Sequence, residues 1–322
     1  MVQRLALILT ALLLLEIRTA AEPRVEVVAK SRALVVIGLP GDGEHEMLFA
    51  DTGQKWRDWL TGALDFEVTL LFGRSGKPPL TNTAATSAAI ESAIADLKKS
   101  LRNDDRLWVF FLGHGDDNGE RASFHLPGRD LHDDDLAKLF AGIACKEQVF
   151  WLTHSASHRF LKSLSAKGRI VIAAAGDEEP NETEFPQALA TVFGKLRAND
   201  GEKMSILDLY RRAVAEVEAR FAADKRVPTE HAQLDDNGDG SGTEQPVVEP
   251  AGDKKPTADG PLAARTLLPF RKMKKSSTTD NTDNTNKEIQ STFFYPCYPC
   301  YPWLKMVWIT HPESYATTHR CC

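Results

Sequence analysis

The chain has 322 residues and a formal net charge of −6 at neutral pH. A chain of this length can bury a core that needs no disulfide bonds. The negative net charge does not indicate the basic surface that is typical of nucleic-acid-binding proteins. These properties predict a globular protein with no nucleic-acid partner.

The N-terminal residues have the pattern of a secretory signal peptide. Arg4 precedes an apolar run from Leu5 to Leu15, and small residues follow up to Ala21. The run is too short to span a bilayer, so a signal over residues 1–21, cleaved after Ala21, is favoured over a membrane anchor. We therefore predict a secreted or periplasmic protein that has no membrane contact after cleavage.

Apolar runs and helical periods alternate along most of the chain. Strands are predicted at 33–39, 66–73, 106–113, 148–152 and 169–175. Helices are predicted at 54–64, from a cap at Asn82 or Thr83 to Leu101, and at 133–143, 156–165, 185–196 and 205–221. This alternation predicts an α/β fold with a mostly parallel sheet and helices on both faces.

The composition becomes polar and rich in Gly, Pro and Asp after about residue 225. Residues 22–245 are predicted to form one domain, and 246–322 a linker followed by a low-complexity, disordered tail. The tail contains four of the five cysteines, and the Cys297–Cys300 pair has no second pair at the spacing of a zinc site. Cys145, which precedes the strand at 148–152, is interpreted as a small packing residue.

Polar residues follow two of the predicted strands. Gly113-His114-Gly115 ends the strand at 106–113, and Thr153-His154-Ser155-Ala156-Ser157 ends the strand at 148–152. The carboxyl ends of parallel strands meet at one edge of a sheet, where catalytic groups gather in such folds. If the strands are neighbours, His114 and Ser155 are expected within hydrogen-bond reach. A purely structural histidine is the alternative.

This ordered pair of motifs resembles the caspase-like fold of the legumain, caspase and metacaspase cysteine peptidases. The resemblance spans residues 33–240 and is nearest to the legumain-like branch, especially its exported bacterial members. It implies that His114 is the catalytic histidine and that Gly115 belongs to the same motif. It places Ser155 at the position of the catalytic cysteine, Thr153 at that of an aspartate and His158 at that of a glycine.

A serine at the cysteine position changes the expected activity. A thiolate is a strong nucleophile at neutral pH, whereas a hydroxyl needs a tightly held base and an orienting group. We therefore predict a degenerate peptidase that binds a peptide or protein in its cleft. One alternative is a hydrolase that uses Ser155 with His114, helped by His154 or His158. Another is an unrelated α/β binding protein.

The segment 235–242 resembles part of a calcium loop. Asp235, Asn237 and Asp239 match ligand positions 1, 3 and 5 of such a loop, but position 12 is Pro246 instead of glutamate. A surface turn and a weak calcium site are comparable interpretations. The sequence therefore predicts no cofactor, with calcium as the alternative.

Overall fold

The computed structural model describes residues 29–73, 83–177, 179–196, 204–248 and 258–271. The predicted signal peptide and the four tail cysteines lie outside these ranges. Within the ranges, none of the helices has the length and apolar character needed to cross a membrane.

Nine strands and seven helices form the described part of the chain. The strands are β1 (Ser31–Ile37), β2 (Glu67–Phe72), β3 (Arg106–Leu112), β4 (Gly115–Asp117), β5 (Ala122–Phe124), β6 (Leu131–His132), β7 (Glu147–Leu152), β8 (Arg169–Ala173) and β9 (Gln233–Asp235). The helices are α1 (Gly43–Gly62), α2 (Ser87–Ser100), α3 (Asp133–Phe140), α4 (His158–Leu164), α5 (Phe185–Lys195), α6 (Ile206–Ala223) and α7 (Pro261–Arg265).

Six strands form the main sheet in the order β2-β1-β3-β7-β8-β9. All pairs are parallel except β8 with β9, which is antiparallel. The strand β3 is central and almost entirely buried, as its continuous apolar sequence predicts. The predicted α/β fold with a mostly parallel sheet is therefore confirmed.

Helices cover both faces of this sheet. Alternate residues of each strand face opposite sides, so Phe110 belongs to one apolar cluster and Phe111 to the other. The first cluster includes buried residues of α1, α5, α6 and α7, and the second those of α2, α3 and α4. Each layer buries large aromatic side chains among its aliphatic ones, and their burial stabilises the fold.

Two helix starts differ from the sequence prediction. The helix α1 begins at Gly43 instead of residue 54, because the Asp42 carboxylate caps it by accepting a hydrogen bond of 2.9 Å from the backbone N–H of His45. The cap of α2 is Thr86 instead of Asn82 or Thr83. The Asp42 cap therefore places His45 on the first turn of α1.

A small antiparallel sheet, β4-β5-β6, follows the carboxyl end of β3. Its strands have two or three residues each, too few for an alternating pattern to be recognised in the sequence. This small sheet holds the backbone on either side of His114, since the N–H of His125 donates to the carbonyl of His114.

Residues 258–271 pack on the body of the protein, although the sequence places them in the linker. Ala263 and Leu268 are buried in the first apolar cluster. The backbone N–H groups of Ile206 and Leu268 donate to the carbonyls of Thr266 and Met204, respectively. The segment is too short and irregular to show a helical period, but it covers part of the layer formed by α6.

Candidate functional site

His114 and Ser155 lie at the same edge of the main sheet. His114 follows the end of β3, Ser155 follows the end of β7, and these two strands are paired in parallel. The parallel register explains why segments about forty residues apart meet at this edge.

Gly115 is the point where the two segments touch. A Cβ atom placed there would lie 2.6 Å from the carbonyl oxygen of Ser123, 2.8 Å from that of Ser155 and 3.1 Å from Nδ1 of His154. No side chain fits between these atoms. The glycine after the histidine therefore serves close packing of the backbone against the Ser155 turn.

The Ser155 hydroxyl is bonded to the backbone of Gly115 in both directions. Its Oγ accepts a hydrogen bond of 2.9 Å from the Gly115 N–H and donates one of 3.0 Å to the Gly115 carbonyl. The residue is 4% exposed, and the next residue, Ala156, has a left-handed backbone with φ of 54°. Ser155 therefore ties the turn after β7 to β4, inside a tightly bent backbone.

His114 faces a different group of residues. Its Nε2 lies 3.1 Å from the carbonyl oxygen of Pro40, and its Nδ1 lies 3.9 Å from Oε1 of Glu182. The ring also contacts those of His45 and Phe49, at centroid distances of 5.0 and 5.2 Å. Among the described residues, no hydrogen bond joins His114 to Ser155, so the expected catalytic pair is adjacent but not connected.

His45 and Glu182 are site residues that the sequence reasoning missed. His45 Nδ1 lies 2.8 Å from the Asp42 carboxylate, and its Nε2 lies 3.2 Å from Glu182. The hydrogen bond to Asp42 raises the pKa of His45, and the bond to Glu182 adds to this effect. Glu182 follows β8 in a loop anchored by Thr183, whose hydroxyl donates to the carbonyl of Thr153.

His154, a predicted helper, is completely buried. Its ring packs edge-on against Phe124 and Phe160, and its Nδ1 donates to the carbonyl of Ser155 over 2.8 Å. Nε2 is buried and has no hydrogen-bond partner among the residues that the structure describes. Burial lowers the pKa of His154 to about 4, so the ring is neutral and structural at neutral pH.

His158, the other predicted helper, interacts with carboxylates. Its Nε2 lies 3.3 Å from Asp117 and 3.1 Å from Asp177. Asp117 also accepts a hydrogen bond of 2.8 Å from Nε of Arg159. His158 therefore belongs to a group of charged and polar side chains at the start of α4 beside β4, and among the described residues no hydrogen bond joins it to the Ser155 hydroxyl.

The positions of Thr153 and Cys145 explain their roles. The Thr153 hydroxyl donates to the carbonyl of Phe111, which extends the pairing of β7 with β3. Cys145 precedes β7 at the amino edge of the sheet, and burial raises the pKa of its thiol to about 11. A thiol at that edge and in that state is not a nucleophile for His114.

The candidate calcium residues form a turn closed by backbone hydrogen bonds. Both carboxylate oxygens of Asp235 accept backbone N–H groups, those of Gly238 and Gly240, and Asp235 is 1% exposed. Asn237 and Asp239 accept the N–H groups of Asp239 and Ser241. These are the side-chain-to-backbone hydrogen bonds of a surface turn, and Pro246 stands where a calcium loop has its bidentate glutamate.

No family model matches the sequence, and no curated protein is similar to it. Several solved structures are similar. The Drosophila initiator caspase Dronc has a TM-score of 0.45 and 12% identity, over 66% of this chain and 81% of that chain. Protein GSU0716 from Geobacter sulfurreducens has a TM-score of 0.41 and 15% identity, over 64% and 92%.

A third similar structure is a secreted C11 cysteine protease from Bacteroides thetaiotaomicron, "iotapain". Its TM-score is 0.38 and its identity 11%, over 65% of this chain and 67% of that chain. These likenesses concern the path of the backbone and carry no statement about activity.

The carboxyl edge thus contains two kinds of polar group. The Ser155 hydroxyl and the His154 ring are buried and hold the fold together. His114, His45 and Glu182 are partly exposed around a small pocket that Leu48 and Gln187 also line. His114 could be recognised in the sequence because it follows an apolar strand and lies between two glycines. His45 and Glu182 lie in a helix and a loop without a recognisable motif.

Proposed function

We propose that this chain is a caspase-like domain that lacks cysteine-peptidase activity and binds a peptide segment at the carboxyl edge of its sheet. The resemblance of the two motifs to that fold supports the assignment, and so does the meeting of His114 and Ser155 at one sheet edge. We also propose that the chain is related to the legumain-like branch, on the basis of the order of the two motifs.

One observation carries the loss of catalysis: the Ser155 hydroxyl is bonded to Gly115 as both donor and acceptor. A serine nucleophile needs a base that takes its proton, and the base needs a group that orients it. Here the Ser155 hydroxyl donates its hydrogen bond to the backbone carbonyl of Gly115. His114, the candidate base, contacts Pro40 and Glu182 instead. Attack would require breaking the contacts that hold the β7 turn.

Exposed apolar side chains beside the pocket support the binding role. Met47 is 71% exposed and Leu48 is 39% exposed on the first turns of α1, next to His45. Large apolar residues that face solvent beside a pocket are typical of sites that bind a partner. A peptide with an apolar side chain is the ligand that this surface fits.

Covalent probes on the purified full-length protein test the catalytic part of the proposal. We expect that neither a fluorophosphonate nor a peptidyl acyloxymethyl ketone labels the wild type at residues 153–158, as mapped by mass spectrometry. Ser155→Cys restores a thiol but leaves His114 directed to other partners, so we expect little ketone labelling. Fluorophosphonate labelling of Ser155 that Ser155→Ala abolishes would establish the serine hydrolase instead.

An immobilised peptide library tests the binding part. We expect selective retention of peptides with apolar residues by the wild type and a loss of that retention in Leu48→Glu. Val227→Glu is the matched control, because Val227 is also an exposed apolar residue but lies after α6. Equal retention by both variants would contradict a site at the carboxyl edge.

The N-terminal pattern supports export of the protein. N-terminal sequencing of material collected outside the cell tests this, with Glu22 as the expected first residue. Recovery of a chain that still carries Met1 in the membrane fraction would contradict it.

A further inference from the structure

We propose that His45, His114 and Glu182 form a binding site for a divalent transition-metal ion, with zinc as the ion that fits best. The site goes beyond the peptide-binding role, and it stands whether or not the protein binds peptides. It rests on three ligand atoms that lie close together, on the hydrogen-bond partners that orient the two histidines, and on the small pocket that the three residues line.

The three ligand atoms lie close enough for one metal ion. One ligand atom from each of His45, His114 and Glu182 lies within 4.8 Å of the other two. The ring nitrogens that face Glu182 are Nε2 of His45 and Nδ1 of His114. The His45 and His114 nitrogens lie 3.2 and 3.9 Å from Glu182 oxygens. In a tetrahedral zinc site, with metal–ligand distances of about 2.0–2.1 Å, neighbouring ligand atoms are about 3.3 Å apart. Small side-chain movements reach that geometry.

Each histidine is oriented by a hydrogen bond from its other ring nitrogen. His45 Nδ1 is bonded to the Asp42 carboxylate at 2.8 Å, and His114 Nε2 donates to the Pro40 carbonyl at 3.1 Å. Metal-binding histidines are held in this way by a carboxylate or a backbone carbonyl, which fixes the ring and directs the free nitrogen to the metal. Both histidines of this cluster therefore have the outer partner that a ligand needs.

The His114 nitrogen that is not bonded to Pro40 is the one that faces Glu182. Nε2 of His114 is bonded to the Pro40 carbonyl, so Nδ1 is the nitrogen that a metal ion would use, and it lies 3.9 Å from a carboxylate oxygen of Glu182. A single metal ion placed among these atoms would bind both histidines and the carboxylate.

The surroundings leave room for the ion and for a fourth ligand. The three residues line a small pocket of about 30 Å³, which has space for a metal ion and one water molecule. His45 and His114 are 23% and 22% exposed, and Glu182 is 65% exposed, so solvent reaches the site. Two imidazoles and one carboxylate with an open position are a ligand set that zinc takes in proteins.

Zinc titration of the full-length protein, without a polyhistidine tag, tests the proposal. Thiolates also bind zinc, so the tail cysteines are first replaced (Cys297→Ser, Cys300→Ser, Cys321→Ser and Cys322→Ser). We expect one equivalent of zinc by calorimetry, and a visible absorption band of four-coordinate cobalt when Co²⁺ is used instead. His45→Ala and Glu182→Gln should each weaken zinc binding at least tenfold.

Matched variants separate ligation from folding. His231→Ala removes a histidine that also contacts a carboxylate, Glu179, but lies outside the cluster, so its zinc affinity should equal that of the parent protein. Asp42→Asn keeps a good helix cap but weakens the support of His45, and we expect about a tenfold to hundredfold loss of affinity. Circular dichroism checks that each variant is folded.

Two results would overturn the proposal. One is the absence of zinc binding to the folded parent protein. The other is binding of equal affinity in the parent, His45→Ala and Glu182→Gln, which would place the ion elsewhere. Failure of the peptide library with an intact zinc site would affect the proposed function alone.

Discussion

The Ser155 turn and the His114 pocket lie side by side, yet their polar groups differ in burial and in hydrogen-bond partners. Ser155 and His154 are buried, and their hydrogen bonds go to the backbone of Gly115 and Ser155 itself. His114 and His45 keep one ring nitrogen each near Glu182 at the surface. The partners that the fold supplies therefore decide what each side chain does: the Ser155 hydroxyl holds two backbone segments together, whereas the two histidines face a carboxylate at the surface.

Gly115→Ala should have the largest effect on this arrangement. Its Cβ would meet two backbone oxygens within 2.8 Å, and neither can move without shifting β5 or the Ser155 turn. We expect a loss of about 3 kcal/mol in the free energy of unfolding, measured by urea denaturation. Gly62→Ala is the control, since nothing lies within 4 Å of a Cβ at the end of α1. Equal stability of the two variants would show that the contact at Gly115 is loose.

The buried ring of His154 should make the stability of the protein depend on pH. Its pKa is lowered to about 4 in the folded state, while an unfolded histidine titrates near 6.5. Between these values the unfolded chain binds more protons, so stability is retained above pH 6.5 and lost as the pH falls towards 4. The expected contribution is about 3 kcal/mol across this window.

Denaturation of the wild type and His154→Phe at several pH values measures this contribution. Phenylalanine suits the cluster of Phe124 and Phe160, and the difference between the two pH slopes isolates the histidine. Glu230 acts in the opposite sense, because burial raises its pKa to about 7. Since both proteins contain Glu230, its effect cancels. Identical slopes would mean that His154 takes up a proton as readily in the folded protein as in the unfolded chain.

Ser155→Ala should destabilise the fold without changing activity. The substitution leaves the partly buried N–H and carbonyl of Gly115 without the Ser155 hydroxyl as a partner, and we expect a loss of about 2 kcal/mol in the free energy of unfolding. Thermal unfolding measures it. Ser100→Ala, which removes an exposed hydrogen bond to Asp96 at the end of α2, should cost much less. A larger loss of stability in the Ser100 variant would show that the Ser155 hydrogen bonds contribute less to the fold than the exposed one does.

Glu182→Gln should have the smallest effect on stability. The carboxylate is 65% exposed, and an exposed ion pair contributes about 0–1 kcal/mol. In metal-free buffer we therefore expect a change of less than about 1 kcal/mol in the free energy of unfolding. A loss as large as that of Ser155→Ala would show that Glu182 supports the fold, and the contrast between the two regions would disappear.

Much of the main sheet could be predicted from the sequence. The strands at 31–37, 106–112 and 147–152 are continuous apolar runs, because helices cover both of their faces. Parallel pairing then places the residues after β3 and β7 at one edge, which is why His114 and Ser155 could be singled out together.

The interactions at the site could not be predicted in the same way. The contact of His45 with Glu182 joins positions 137 residues apart, and neither residue lies in a motif. The bonds of Ser155 depend on β4, which belongs to a sheet too short to leave a pattern. Sequence patterns report burial and period well, but they do not report which acceptor a hydroxyl or an imidazole meets.

The packing of residues 258–271 has a consequence for synthesis of the chain. Arg271 donates its backbone N–H to Ala63 and pairs with Asp65, a separation of 206 residues. Contacts of such long range form late in folding, because closing a long loop costs entropy before the contact contributes any favourable free energy. A nascent chain that has not yet released residue 271 from the ribosome therefore leaves Met204 and Ile206 without their final cover. Premature termination before residue 258 should yield a species prone to aggregation.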